Sequence, residues 1–173
     1  MLPHGTDFRS SGVIGALKRN ASAKLVATRS SDGPGKAADV LCHRNDKTCG
    51  TEEKKGSWWR IDLGENYLLF ITHCALKNGR NDPVLRKWQL QGSTDGRDWT
   101  ALRTERKQFE YPGFTATWSV EGKVEAFRYF QILQTGLNSS GKYGIFLSGV
   151  EFYGVLLEVR HGMSTLSKSS LES

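Results

Sequence analysis

Apolar and polar residues alternate in short segments along most of the chain, which is the pattern of half-buried β-strands. In one such segment Trp59, Ile61 and Leu63 fall on one face, and Arg60 and Asp62 fall on the other. Segments of this kind predict strands at Val13–Leu17, Lys24–Thr28, Trp58–Leu63, Leu69–Leu76, Lys87–Ser93, Trp99–Arg103, Thr115–Val120, Phe127–Gln134 and Ile145–Tyr153.

Turn signals separate these segments, whereas helix signals are almost absent. Asp95-Gly96 supplies the positive φ that a tight hairpin turn needs, so Ser93–Trp99 is predicted to join two antiparallel strands. No long segment keeps apolar residues at helical spacing, and only Ala37–Leu41 is expected to form a single helical turn. The pattern therefore predicts an all-β fold of the sandwich or barrel kind.

Length and composition fit one domain without a membrane span. The chain has 173 residues, of which 38% are hydrophobic, and no apolar run approaches the ~20 residues of a transmembrane helix. The first residues lack the basic and apolar regions of a signal peptide, so we expect an intracellular, cytoplasmic protein. We expect the domain to span residues 1–155 and to be monomeric in isolation. Residues 156–173 form an extension, predicted to be disordered from about Ser164, because its last ten residues include five serines.

Charge and cysteine content add two constraints. The net charge is +6, but basic residues are interleaved with acidic ones rather than grouped in a stripe, so we do not expect nucleic-acid binding. The three cysteines, Cys42, Cys49 and Cys74, are an odd and sparse set, which favours free thiols in a reducing compartment.

An ordered series of phrases resembles the discoidin, or coagulation factor 5/8 type C, domains of the galactose-binding-like superfamily. More narrowly, it resembles their intracellular branch, found in BTB-domain proteins and HECT-type ubiquitin ligases. The phrases are Cys42–Asp46, Trp58–Gly64, Arg86–Trp99, Pro112–Trp118, Phe127–Phe130 and Leu147–Gly154, and the resemblance extends over about Asp7–Val155.

The resemblance implies an eight-stranded antiparallel jelly-roll β-sandwich whose loops at one end bind a ligand. Secreted discoidin domains use these loops for glycans, lipid headgroups or protein receptors, and a disulfide usually joins their ends. This chain has no cysteine near either end, which agrees with the intracellular branch. It departs from that branch at Leu76-Lys77-Asn78, where Leu-Arg-His is more common, so a ligand contact made by that histidine in relatives would be altered here.

Strand alternation places the loops independently of the family. Because antiparallel strands reverse direction, every second connection emerges at the same end of a sandwich. Four connections share one end in this way, including the longest, Arg29–Ser57, and long loops on a rigid scaffold commonly bind ligands. The polar and aromatic residues of these loops are the candidate ligand-binding residues: His43, Arg44, Asn45, Asp46, Asn78, Arg80, Arg86, Tyr111, Asn138, Lys142 and Tyr143.

Several of these residues have structural alternatives. Asn45 and Asp46 are as well suited to satisfying loop backbone groups as to binding a ligand. A stacking or buried-pair role beside Trp88 is favoured for Arg86. Asp39 corresponds to an acid near a calcium-binding loop in some relatives, but no carboxylate cluster accompanies it, so a turn or helix cap is favoured.

No cofactor is expected, and catalytic patterns are weak. Gly136–Tyr143 approximates a phosphate-binding loop, but it ends in Tyr and precedes a strand rather than a helix. Cys42, His43 and Cys49 offer too few ligands for structural zinc, and nothing places a nucleophile beside a histidine. Two hypotheses remain: a protein-interaction module linked to ubiquitin-ligase or BTB scaffolds, and a carbohydrate-binding module, with or without calcium. The tryptophans lie on or beside strands rather than in the loops, which favours a protein partner.

Overall fold

The strands pair into two antiparallel sheets that face each other. The computed structural model describes residues 12–42, 47–106, 115–121 and 125–159. One sheet has the order β1-β2-β7-β4-β5 and the other the order β6-β3-β8. The strands are β1 Val26–Arg29, β2 Trp58–Asp62, β3 Tyr67–Lys77, β4 Trp88–Ser93, β5 Thr100–Glu105, β6 Thr115–Ser119, β7 Tyr129–Gln134 and β8 Gly149–Glu158. The predicted all-β, eight-stranded sandwich is confirmed.

The core lies between the inner faces of the two sheets. Trp59, Ile61 and Leu63 are each at most 1% exposed, and Trp88 and Leu90 are fully buried, as their alternation predicts. The Trp88 and Trp118 rings pack edge to face across the core, with their centroids 5.0 Å apart. Burial of aromatic and aliphatic side chains from both sheets stabilises the sandwich without a disulfide.

The prediction of a strand at Val13–Leu17 is wrong, because these residues lie in a helix, α1 (Val13–Lys18). Val13, Ile14 and Leu17 are buried, and one helical turn accounts for this spacing as well as a short strand does. The helix is stabilised by a contact with β8, far along the chain. The helical turn predicted at Ala37–Leu41 is observed as a 3₁₀ turn.

The alternation of β3 is interrupted by an irregularity at Thr72. Leu69 and Ile71 point inward before it, and Cys74 and Leu76 point inward after it, so the inward face changes parity. The partner strand β8 begins at Gly149, four residues later than predicted, and continues to Glu158. The predicted disordered tail, Ser164–Ser173, lies outside the described residues.

The predicted hairpin between β4 and β5 is present. Gly96 has φ +76°, and the carboxylate Oδ1 of Asp95 accepts hydrogen bonds from the N–H groups of Arg97 and Asp98 at 2.8 and 2.9 Å. These backbone bonds lower the pKa of Asp95 to about 2. The turn is therefore short and self-contained, at the end of the sandwich opposite the long loops.

Candidate functional site

Strand register places the four predicted loops at one end of the sandwich. Trp58, the first residue of β2, pairs with Leu133, near the end of β7. Lys77, the last residue of β3, pairs with Thr115 and Gly149, the first residues of β6 and β8. The strand ends that border the connections 30–57, 78–87, 106–114 and 135–148 therefore lie together, and we call this end of the sandwich the loop end.

Backbone hydrogen bonds join two of these loops. The N–H of Thr51 donates to the carbonyl of Ile145 at 2.9 Å, and the N–H of Leu147 donates to the carbonyl of Cys49 at 3.0 Å. The N–H of Ile145 also donates to Oγ1 of Thr51 at 3.0 Å. These bonds join residues 49–51 of the long loop to residues 145–147, so the two segments are held together.

A cavity of about 410 Å³ opens at the loop end, just after β3. Its wall combines the 77–82 segment with one residue from the long loop and one that precedes β8. The lining residues are Thr48, Lys77, Asn78, Gly79, Arg80, Asn81, Asp82 and Ser148. Two of the predicted site residues, Asn78 and Arg80, therefore lie in the same cavity.

Asn78 leaves one hydrogen-bond acceptor unused in this cavity wall. Its side chain is fully buried, and Nδ2 donates to the carbonyls of Pro83 and Phe146 at 3.0 and 3.2 Å. These bonds fix the amide orientation, but Oδ1 is buried without a hydrogen-bond partner among the described residues. An unsatisfied buried carbonyl costs about 1–3 kcal/mol, and this oxygen has almost no accessible surface, so Asn78 has a structural role in the cavity wall.

Asp82 adds a second acceptor beside Asn78. The residue is 7% exposed, and its burial raises the pKa of the carboxyl, while a hydrogen bond from Thr48 lowers it. A Cβ atom at Gly79 would lie 2.2 Å from Oδ2 of Asp82, so a larger residue there would require this carboxyl group to move. The cavity wall thus includes the carboxyl group of Asp82, and the exposed Arg80 contributes a cation.

Asn138 and Lys142 belong to the neighbouring loop. Asn138 is 4% exposed, and its Oδ1 accepts the N–H groups of Ser140 and Lys142 at 2.9 and 3.2 Å. Its Nδ2 donates to the carbonyl of Gly144 at 3.3 Å, so the amide holds its own loop in shape. Lys142 is exposed with its Nζ 3.5 Å from Glu53, and Tyr143 is half-buried.

Arg86 does not have the buried-pair role beside Trp88 that the sequence favoured. The residue is exposed, whereas the Trp88 ring is fully buried against Trp118, so a buried pair involving Arg86 is not what the structure contains. Its side chain remains available to a partner. The other predicted site residues, His43, Arg44, Asn45, Asp46 and Tyr111, lie outside the described residues and stay predictions.

The profile of F5/8 type C domains matches residues 22–147, which is most of the chain. The chain belongs to this family. It is 37% identical over 180 residues to the E3 ubiquitin-protein ligase hecd-1 of Caenorhabditis elegans, a match that covers 91% of this chain. It is 33% identical over 179 residues to the E3 ubiquitin-protein ligase Ufd4 of Drosophila melanogaster, covering 92% of this chain. The matched region is only 7% of the length of each ligase.

Solved structures share the fold of this F5/8 type C domain. CpGH89CBM32-5 from Clostridium perfringens, solved in complex with GalNAc-β-1,3-galactose, gives a TM-score of 0.62 at 14% identity, covering 75% of this chain and 95% of that one. The lectin domain of Lectinolysin, complexed with Lewis B antigen, gives 0.60 at 16% identity, covering 75% and 92%. At these identities the likeness concerns the fold. Family and fold are those of binding modules.

Asp39 caps the 3₁₀ turn of this F5/8 type C domain. Its Oδ2 accepts the N–H of Lys36 at 2.8 Å, which is the cap favoured by the sequence. Within the described residues, no three His, Cys, Asp or Glu side chains are grouped so that they could hold a metal ion. No described helix is long and apolar enough to span a bilayer.

Arg29, at the end of β1, organises the long loop and was not predicted as a site residue. Its Nη1 donates to the carbonyls of Pro34 and Gly50 at 2.8 and 2.7 Å, and its Nη2 to those of Gly33 and Gly35 at 3.2 and 2.7 Å. The guanidinium also lies 5.7 Å from the Trp59 ring centroid. The planar guanidinium thus connects residues 33–35, early in the long loop, to Gly50, late in the same loop. No local sequence signal marks this role, because its acceptors are backbone carbonyls.

Proposed function

We propose that this domain is a non-catalytic, intracellular protein-interaction module that recognises a substrate or scaffold partner within a larger ubiquitin-ligase or BTB-type protein. The partner binds at the loop end, where its donor groups enter the cavity beside Asn78 and Asp82. The cavity of about 410 Å³ at the loop end, with Asp82 and the exposed Arg80 in its wall, is the observation that carries this proposal, because a concave site with charged and polar groups suits oriented hydrogen bonds to a partner.

A protein partner is favoured over a sugar by the positions of the aromatic side chains. A sugar site normally offers an exposed aromatic ring as a stacking platform among hydrogen-bonding groups. Trp59, Trp88 and Trp118 are buried in the core. Trp58 in β2 and Trp99 just before β5 both contact Arg60 on the outer sheet face, and neither lies in the loop end. The free thiols and the similarity to two ubiquitin ligases support the intracellular setting.

Carbohydrate binding, calcium-assisted or not, is the second candidate. Structures of the same fold were solved with sugars bound, and sugar hydroxyls would also donate to Asp82 in the cavity wall. A glycan array run beside a pull-down from cell lysate distinguishes the two candidates. Saturable glycan binding with no specific protein capture would favour the sugar.

Single alanine variants then test the site. We expect Arg44→Ala, Arg80→Ala and Tyr143→Ala to weaken binding of the captured partner by about 2 kcal/mol where a hot spot is hit, while changing stability by no more than about 0.5 kcal/mol. Arg97→Ala, beside the hairpin turn at the opposite end, is the matched control and should leave both properties unchanged. If the three loop variants bind like the wild type and Arg97→Ala fails to bind, the partner uses the other end.

A further inference from the structure

The outer face of the five-stranded sheet carries a row of polar side chains across four strands. Arg60 pairs with Thr28 on one side and with Gln131 on the other, and Gln131 pairs with Gln91. Because Trp59 and Ile61 point into the core, Arg60 and its cross-strand neighbours point away from it. This face is separate from the loop end.

Side-chain hydrogen bonds run along this row in one direction. Arg60 donates through Nε and Nη2 to Oε1 of Gln131 at 3.0 and 2.6 Å, and Gln131 donates to Gln91 at 2.8 Å. Gln91 donates to Gln89 at 2.8 Å, and Gln89 donates to Oγ1 of Thr104 at 3.0 Å. Because each amide oxygen in the chain is already an acceptor, the network fixes the position of Arg60.

Two indole rings hold the same guanidinium. Cζ of Arg60 lies 4.1 Å from the ring centroid of Trp58 and 4.8 Å from that of Trp99. Both rings are half-buried, and the indole N–H of each donates to no other described residue. The arrangement therefore combines flat apolar surface with unused hydrogen-bond donors around a preorganised cation.

The charge of Arg60 has no counter-charge within the described parts of the chain. The acid on the same strand face, Asp62, already accepts Nε and Nη2 of Arg128 at 2.8 and 3.1 Å and the N–H of Gly64 at 2.8 Å. Desolvation by burial lowers the pKa of Arg60, which shows the cost of holding this cation away from water. Nη1 donates to no described group, and Nη2 keeps one hydrogen, so the end of the guanidinium remains open as a fork for a carboxylate.

From this geometry we infer that the Trp58–Arg60–Trp99 cluster is a second docking surface, which binds an acidic segment of a partner protein. A Glu or Asp carboxylate completes the hydrogen bonds of the Arg60 fork, and its methylene groups contact the indole rings. The chain has a net charge of +6, which is complementary to such a segment. Extended indole surface beside a single guanidinium suits a side chain that has both carbon and carboxylate better than a bare anion.

The probe is an acetylated and amidated hexaglutamate peptide, with hexaglutamine as the uncharged comparison. Binding is followed in the 173-residue chain by tryptophan fluorescence and by NMR signals of the Arg Nε–H and indole N–H groups. We expect the signals of Arg60, Trp58 and Trp99 to shift while those of the buried Trp59, Trp88 and Trp118 do not. Absence of binding to hexaglutamate, or equal binding of hexaglutamine, would overturn the inference.

Paired substitutions separate the cluster from general charge. Arg60→Gln and Arg97→Gln each remove one positive charge, but only the first removes the open fork. We expect Arg60→Gln to weaken peptide binding by about 10-fold or more, Arg60→Lys to weaken it less, and Arg97→Gln to change it by less than about 2-fold. If Arg60→Gln and Arg97→Gln lose the same amount of peptide affinity, the peptide is attracted by the overall positive charge and not by the cluster. Loss of binding with millimolar inorganic phosphate at constant ionic strength would show a simple anion site instead.

Two further measurements test whether the loss of peptide binding is specific to the cluster. Thermal unfolding of each variant excludes a folding defect, and Trp99→Phe, which keeps a ring but removes the indole N–H, provides a milder second variant. We expect Trp99→Phe to weaken hexaglutamate binding while Arg80→Ala, at the loop end, leaves it unchanged. If Arg80→Ala abolishes peptide binding and Trp99→Phe does not, the peptide binds at the loop end and the inference is wrong.

Discussion

The carboxylate of Glu151, on β8, accepts a hydrogen bond of 2.7 Å from the backbone N–H of Ile14, 137 residues earlier in the chain. The same carboxylate accepts the N–H of Gly15 at 3.1 Å and that of Phe152 at 2.8 Å. Gly12, the N-cap residue of α1, has no side chain to cap the helix, so Glu151 takes that role from outside. A Cβ at Gly12 would lie 1.8 Å from Cδ of Glu151, which explains why glycine precedes the helix.

Glu151 makes the stability of the domain depend on pH. The residue is fully buried, and burial raises the pKa of its carboxyl from 4.5 to about 7, although the three backbone N–H bonds act in the opposite direction. Between these two values the folded state keeps a proton that the unfolded state loses, so the free energy of unfolding falls as pH rises through this window. The full shift corresponds to about 3 kcal/mol. We expect the melting temperature to fall by roughly 5–10 °C between pH 5 and pH 7.5.

The variant Glu151→Gln isolates this contribution. Glutamine has a similar shape but does not titrate. The histidines contribute equally to the pH dependence of both proteins, so their contribution cancels when one melting profile is subtracted from the other. We expect a flatter profile for the variant across pH 5–7.5. A variant profile with the wild-type slope would assign the pH dependence to another group.

The strands could be predicted from the sequence because each is coded locally. Alternation at Trp59, Ile61 and Leu63, and the Asp95-Gly96 turn, depend only on neighbours in the chain. The identity of α1 depends instead on a carboxylate 137 residues away, and its six residues are too few to show helical periodicity. The irregularity at Thr72 could likewise not be predicted from the sequence. The extra residue shifts the inward-facing side chains from odd to even positions, and no turn residue marks it.

The end of the sandwich to which the loops connect was predictable, whereas the structural roles of individual loop residues were not. Counting strand reversals was enough to place four loops at one end. The sequence does not show that the amide of Asn138 bonds within its own loop, while the amide oxygen of Asn78 has no partner among the described residues. This distinction depends on which carbonyls the fold brings near, and those come from distant segments such as Phe146.

Thiol reactivity tests the burial of the cysteines and the expected reduced state together. Cys42 is exposed, whereas Cys49 and Cys74 are fully buried, and burial raises the pKa of Cys49 to about 12. Because the thiolate is the reactive form, we expect one rapidly reacting thiol in the folded protein and three after unfolding without reductant. Cys42→Ser should abolish the rapid reaction. Fewer than three thiols in the unfolded wild type would indicate a disulfide.

Arg29→Lys tests whether one side chain maintains the loop end. Arg29 donates to four carbonyl oxygens, at Gly33, Pro34, Gly35 and Gly50, and its side chain is only 5% exposed. A lysine ammonium keeps the charge but cannot reproduce the planar fork, so several of these carbonyls lose their donor, among them that of the buried Gly50. We expect urea unfolding to show a loss of about 2–4 kcal/mol, and hydrogen exchange of the long loop to accelerate more than that of β4. Arg97→Lys, an exposed arginine at the opposite end, is the matched control and should stay within about 0.5 kcal/mol of the wild type. If Arg29→Lys matches this control in both measurements, the long loop is held by its backbone bonds to the 135–148 loop rather than by the guanidinium.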